Sequence, residues 1–330
     1  VGEFDLIQRY FQHALKPAGV VLGNGDDAAL LAPAPGNQLA VSTDMLVEGR
    51  HFLSTVQPQA LGHKALAVNL SDLAAMGAKP LAFTLALALP RVDADWLAGF
   101  SAGLLALADQ HGCALVGGDT TAGPLNICIT VMGEVPAQQA LRRQAAQVDD
   151  DVYVSGQLGE ARLALEVFRG RIAVAEAVWA QARRRLEWPQ PRVGLGLAVR
   201  GLAHACADVS DGLLGDLTHI LEASGVSVEV DLERLMQSAL VSAPVQSLPP
   251  AVALPWVLAG GDDYELVFTA PPAARTAIEH ASRQSATPVT RIGRVRPWVP
   301  GAARVRLLQA DGSDYPLPSG VALRGFDHFA

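Results

Sequence analysis

Cysteine is scarce in this chain of 330 residues: Cys113, Cys128 and Cys206 stand far apart, and no Cys-x-x-Cys pair occurs. Neither they nor the eight histidines fall at zinc-ligand spacing, so buried thiols in a reducing compartment are expected rather than a disulfide framework or a zinc site. Basic residues are also in deficit, with 25 Lys and Arg against 33 Asp and Glu and a formal charge of −8. Without a Lys/Arg stripe the chain cannot release counterions from a polyanion, which argues against nucleic acid as the main partner. The longest apolar stretch, Leu81 to Leu89, stops at Pro90 and is far shorter than the ~20 residues a bilayer requires, so no membrane span is expected. The beginning of the chain shows neither a basic segment nor an apolar core of a secretory signal, which makes the cytoplasm the expected location.

The common nucleotide signatures are missing too. There is no G-x-x-x-x-G-K-[ST] loop, no kinase Gly-rich loop with an H-R-D element, and no D-x-D-x-D-G calcium loop. Gly23-Asn24-Gly25-Asp26-Asp27-Ala28 matches G-x-G-x-x-A, but two aspartates would face a pyrophosphate and the next segment does not read as a helix. A dinucleotide fold is therefore rejected.

What is present is apolar bulk. Half the residues are hydrophobic and only 5% aromatic, a composition that fits buried strands and helices, and the length exceeds one ordinary core. Periodicity predicts helices from Ile7 to Ala14, Ala60 to Met76 and Ala94 to Gln110, and strands at Val20 to Leu22, Leu39 to Ser42, Leu81 to Leu89 and Ala114 to Val116. Asn69 and Asp72, three apart, then share a helix face. The pattern weakens from Pro136 to Asp151, and Val152-Tyr153-Val154 opens a second series of elements. Two α/β domains are expected, over residues 1–137 and 138–330.

One motif recurs: an aspartate beside glycine, serine or threonine at the end of a strand, at Asp27, Asp44, Asp119, Asp208, Asp211 and Asp262, joined by helical Asp72. A lone example is an ordinary turn or cap. A set of them in an α/β chain points to the ligand crevice at the strand ends. Two carboxylates about 4 Å apart repel by about 4 kcal/mol at an effective dielectric of about 20, so a cation must lie among them. Oxygen donors without a histidine and cysteine set favour Mg²⁺, which binds through a few carboxylates and substrate phosphates, and that implies phosphoryl chemistry with a nucleotide.

Taken in order, the blocks Gly2-Glu3-Phe4, Gly25-Asp26-Asp27-Ala28, Ser42-Thr43-Asp44, Glu48-Gly49-Arg50-His51-Phe52 and Gly62-His63-Lys64 through Asn69-Leu70-Ser71-Asp72 resemble the thiamine-monophosphate kinase family. So do Gly117-Gly118-Asp119-Thr120-Thr121, Asp208-Val209-Ser210-Asp211-Gly212, Gly260-Gly261-Asp262-Asp263-Tyr264-Glu265 and Gly325-Phe326-Asp327-His328-Phe329. That family lies in the superfamily of aminoimidazole ribonucleotide synthetase. The resemblance implies an α/β (α+β) chain of two domains, the N-terminal mixed sheet pairing across a homodimer and a C-terminal α/β domain completing the site.

It also implies ATP as co-substrate, thiamine monophosphate as acceptor, and several Mg²⁺ ions held by Asp27, Ser42, Thr43, Asp44, Asp72, Asp119, Asp208 and Asp211. Asp72, Asp44 and Asp211 would be catalytic. Gly118, Asp119, Arg143 and Ser210 would touch the nucleotide, and His51, Asp262 and Phe326 would line the thiamine-phosphate site. The chain departs from the family in two places: Asp262 stands where glutamate is usual, and Gln144-Ala145-Ala146 follows Arg143 where the family has a lysine-containing segment. A sister ATP-using synthetase, a non-catalytic nucleotide or thiamine-phosphate sensor, and a metal-dependent phosphatase are the competing readings.

Overall fold

In the computed structural model the described residues are 3–318 and 321, so Phe326 lies outside them. The chain forms two compact units, one of Val1–Leu73, Ala78–Ala140 and Glu187–Val193, the other of Ala74–Gly77, Leu141–Leu186 and Gly194–Ala330.

The first unit contains α1 (Glu3–Tyr10), β1 (Val20–Leu22), β2 (Leu30–Leu31), β3 (Asn37–Val47), most of α2 (Pro58–Ala75), β4 (Lys79–Leu89), α3 (Ala94–His111), β5 (Ala114–Ala122) and β6 (Asn126–Pro136). Its four-stranded sheet has the order β3-β6-β4-β5, with only β4 and β5 parallel. Alternation sorts the faces of this mixed sheet. Ile127, Ile129 and Val131 of β6 are buried with Leu66, Leu70 and Leu73 of α2 and Leu97, Phe100 and Leu104 of α3. Asp93 caps α3 by accepting the Trp96 N–H at 3.1 Å, and Gly112, at φ 62°, closes it. Gly62 and Gly103 bring α2 and α3 together, since a Cβ would lie 2.0 Å from the Phe100 carbonyl oxygen at the first and 1.9 Å from that of Gln59 at the second.

The second unit contains β7 (Asp151–Ser155), α4 (Glu160–Phe168), most of α5 (Glu176–Glu187), most of α6 (Val193–Val199), β8 (Ala205–Val209), α7 (Leu213–Ser224), β9 (Val226–Asp231), α8 (Leu232–Gln237), α9 (Ala243–Gln246), α10 (Pro250–Ala259), β10 (Glu265–Ala270), α11 (Arg275–Gln284), β11 (Val289–Pro297), β12 (Val305–Leu308) and β13 (Asp314–Tyr315). Its sheet has the order β13-β12-β9-β11-β7-β10-β8, antiparallel except where β12 meets β9. Strands β7, β8 and β10 are buried along their whole length. At the start of β7, Asp151 is gripped by Arg275, at 2.6 and 2.9 Å, and by Arg291 at 3.2 Å.

Three elements differ from their sequence expectation. Helix α1 ends at Tyr10, and beyond it His13 is tied to the Leu115 N–H and to Asp109 instead of continuing a helix. Strands β3 and β5 run well past the expected ends, so Asp44 and Asp119 sit within strands and not in the turns after them. Pairing explains both extensions: β3 is matched to β6 over its full length, and β5 to β4 as far as Ala122.

Candidate active site

In the first unit the polar groups begin at an edge. Strand β3 is the outer strand of its sheet, and outward N–H groups there need partners from outside the ladder. Helix α2 supplies one: the Asp44 N–H donates to Asn69 Oδ1 at 3.1 Å, while Asn69 Nδ2 donates to the Ala65 carbonyl at 3.0 Å. Three residues along the same helix face, Asp72 Oδ2 accepts a hydrogen bond from Ser42 Oγ. A buried amide and a half-buried carboxylate therefore fasten β3 to α2 in two places, and they fix the Asp72 carboxyl beside Ser42.

Register shows which expected ligands share that side. Ser42 and Asp44 lie opposite Val131 and Ile129, on the covered face. Thr43 lies opposite Thr130 on the other face, and their hydroxyls are 2.8 Å apart. Asp119 is in line with Ala86, which is in line with Cys128, and so belongs to that other face as well. Beside it Gly118, at φ 150°, brings β5 so near β4 that a Cβ would lie 1.8 Å from the Leu85 carbonyl oxygen. Asp27 is exposed in the connection between β1 and β2, its N–H donating to Asp26 Oδ1 at 3.0 Å.

His51 follows β3 in a turn, and its Nδ1 accepts the Val47 N–H at 3.0 Å. A ring nitrogen that accepts carries no proton, so the imidazole is neutral with its hydrogen on Nε2, and there it is a donor.

Among the described residues no three His, Cys, Asp or Glu side chains converge as a ready-made metal cage. The donors on β3 and α2 are a hydroxyl and carboxylates, hard oxygen ligands. They fit Mg²⁺, which completes its shell with water and substrate phosphate rather than with an all-protein cage.

In the second unit the polar groups ride on turns. β8 ends in buried Asp208 and Val209, and the backbone N–H groups of Ser210 and Asp211 both donate to Asp216 Oδ2 at 3.1 Å. Asp216 sits in the first turn of α7, where burial, then the charge of Asp211, push its carboxyl up to about 7 against the pull of those N–H groups and of Arg143. Gly212, at φ 120°, makes the turn into α7 and passes so near Ala259 that a Cβ would lie 2.7 Å from its Cα. Arg143 is exposed in a single 3₁₀ turn whose carbonyl accepts from Ser224 Oγ at 2.9 Å.

The segment 260–264 folds back on the same strand end. The Asp262 N–H donates to the Ser210 carbonyl and the Tyr264 N–H to that of Val209, each at 2.8 Å. Asp262 and Tyr264 adopt φ of 60° and 49°. Between them the Asp263 carboxyl turns inward: Oδ1 accepts the Gly159 N–H at 3.0 Å, and buried Oδ2 has no hydrogen-bond partner. Glu265, buried, accepts Ser155 Oγ at 2.6 Å and the Gln157 N–H at 3.3 Å. The structure thus brings Asp208, Ser210, Asp211 and Asp262 to one strand end.

The supports carry no signal of their own in the sequence. Asn69 was visible as a partner of Asp72 on its helix face, but nothing local marks it as the residue that holds Asp44. Asp216 and Asp263 look like common cap and turn residues.

The model of the AIR synthase related protein N-terminal domain matches residues 25–135, and that of the C-terminal domain matches residues 147–298. Thiamine-monophosphate kinase from Salmonella typhimurium is 44% identical over 332 aligned residues, covering 100% of this chain and 98% of its own. The crystal structure of thiamine-monophosphate kinase from Stenotrophomonas maltophilia K279a superposes with a TM-score of 0.84 at 45% identity, covering 96% of this chain and 98% of that one. AaThiL complexed with AMPPCP and TMP has a TM-score of 0.73 at 27% identity, covering 99% and 96%.

Proposed function

This chain belongs to the thiamine-monophosphate kinase family of AIR synthase related proteins, and from that premise we propose that it moves the γ-phosphoryl group of ATP onto the phosphate of thiamine monophosphate. An oxygen of the acceptor phosphate attacks the γ-phosphorus, the bond from that phosphorus to the bridging oxygen breaks, and ADP and thiamine diphosphate leave. The nucleophile is already ionised, so no group has to remove a proton. What the protein must do is align two polyanions and offset their charge.

The observation that carries this reading is the donor set on β3 and α2: oxygen ligands at Ser42, Asp44 and Asp72, with His51 held as a donor and not as a base. The AaThiL structure with AMPPCP and TMP supports the pairing of nucleotide and acceptor. When bound, Mg²⁺ supplies the positive charge that brings the phosphates together. We assign several ions to Asp27, Ser42, Thr43, Asp44, Asp72, Asp119, Asp208 and Asp211. For Thr43, engaged with Thr130, and for exposed Asp27 and Asp119, the assignment rests on the family pattern alone. Gly118, Asp119, Arg143 and Ser210 are assigned to the nucleotide. His51 orients the acceptor phosphate through Nε2–H, and Asp262 and Phe326 are assigned to the cationic thiamine moiety.

A homodimer completes the proposal. On the face of the four-stranded sheet opposite α2, Leu39, Val41 and Met45 are 42%, 61% and 51% exposed in a row along β3, an apolar edge that a second copy would cover. The domain division near residue 137 and a cytoplasmic location belong to the same reading; the three cysteines are free, and no helix among the described residues is long and apolar enough to cross a membrane.

The test is to incubate the purified protein with ATP, Mg²⁺ and thiamine monophosphate and to separate the thiamine phosphates by chromatography, with and without EDTA. Thiamine diphosphate is expected only when ATP and metal are both available. ATP consumed without diphosphate would contradict the proposal.

A further inference from the structure

The segment 260–264 is held in an arrangement that ordinary residues resist. Asp262 and Tyr264 both have left-handed backbone conformations, each costing about 1 kcal/mol for a residue with a side chain. Such conformations persist only where the surroundings over-determine them. Two restraints are backbone hydrogen bonds, from Asp262 to Ser210 and from Tyr264 to Val209. The third is the inward carboxyl between them, which meets the N–H of Gly159 at the start of α4. Gly159 has φ 88° and α4 has no side-chain cap, so Asp263 takes over the capping of that helix from a distant part of the chain. On the other side of the loop, Tyr264 Oη donates to Asp262 Oδ1 at 3.4 Å, which couples the two flanking side chains.

We infer that Asp263 is a positioning residue for the thiamine-phosphate site: by gripping the Gly159 N–H it holds Asp262 and Tyr264 in the backbone conformation from which Asp262 meets the acceptor. This rests on the reading of Asp262 as an acceptor-binding residue. Burial of the carboxyl, then the nearby charges of Glu265 and Asp262, push it well above the usual carboxylate range, against the Gly159 N–H and Arg185. Only Oδ1 of the carboxyl is engaged by the loop, through the Gly159 N–H, so an amide that keeps that oxygen can replace it.

The experiment compares wild type, Asp263→Asn and Asp263→Ala by KM for thiamine monophosphate, KM for ATP, kcat and Tm. Asparagine keeps an oxygen for Gly159 and is expected to leave KM for thiamine monophosphate within about threefold of wild type. Alanine removes the grip and is expected to raise that KM about tenfold or more, with KM for ATP within about twofold. A purely structural residue would lower Tm and leave the two KM values in proportion. If the alanine variant is insoluble, Asp263→Ser takes its place in the same comparison. An unchanged KM for thiamine monophosphate, a parallel rise in both KM values, or an asparagine variant as impaired as alanine overturns the inference. A wild-type protein that does not phosphorylate thiamine monophosphate overturns the reading beneath it.

Discussion

In the first unit Ser42 and Asp44 ride on a long strand and Asp72 on an 18-residue helix, whereas in the second Ser210, Asp211 and Asp262 ride on turns. The straight elements are held by the core whatever their polar groups do: α2 buries its own Leu66 and Leu70, β6 beside β3 buries Ile129, and the Asn69 and Asp72 contacts are added to that burial. The turns are held by point contacts, among them the backbone hydrogen bonds to the end of β8. Their shape depends on Gly212, on left-handed residues, and on the carboxyls of Asp216 and Asp263 reaching backbone N–H groups. Chemistry and fold are therefore separable in the first unit and coupled in the second.

The substitution that would break this comparison most visibly is Asp72→Asn. It keeps an acceptor for Ser42 and stays on a packed helix, so Tm is expected to move little, while kcat is expected to fall by about 10³ if Asp72 is the charged ligand we propose. Steady-state kinetics at saturating ATP and Mg²⁺ beside a thermal melt checks both halves; a large loss of Tm would mean that the first unit is as coupled as the second.

Gly212→Ala tests the other side. The added methyl would lie 2.7 Å from Ala259 Cα at a φ of 120°, and a loss of about 3 kcal/mol in denaturant unfolding is expected, with activity falling alongside it. Unchanged stability would show that the turn tolerates more than its geometry suggests.

The smallest effect sharpens the meaning of a buried carboxyl. Asp151, unlike Asp263, is hydrogen-bonded to two guanidiniums: burial pushes its carboxyl up, but the hydrogen bonds and charges of Arg275 and Arg291 outweigh burial and hold it below its ordinary value. A depressed folded value contributes stability above the unfolded value, near pH 4, and that contribution is lost as pH falls through the folded value. Asp151→Asn is expected to cost about 2 kcal/mol at pH 7, less than a fully buried pair because both arginines are partly exposed, and the difference from wild type should be smaller at about pH 3, below the unfolded value. Unfolding curves at the two pH values read it directly; a pH-independent cost would mean that shape, not charge, matters at that site.

Much of the first unit was legible because its signals are local. Apolar spacing from Ala60 to Met76 and from Leu81 to Leu89 marks α2 and β4, and the Asn69–Asp72 interval already puts both on one helix face. The mid-strand placement of Asp44 and Asp119 was not legible, since strand length is decided by partners far away in sequence. The same holds for Asp263: its carboxyl reaches Gly159 across 104 positions, and no nearby residue announces that an aspartate in a Gly-Gly-Asp-Asp turn points inward. Residue types told which chemistry to look for; the supports that hold those residues come from contacts that only the folded chain assembles.

Direct transfer between two phosphates is checked with ATP labelled in its γ-phosphoryl group. The label is expected in the terminal phosphate of thiamine diphosphate, one equivalent for each ADP formed. Label released as inorganic phosphate, with no labelled diphosphate, would contradict it.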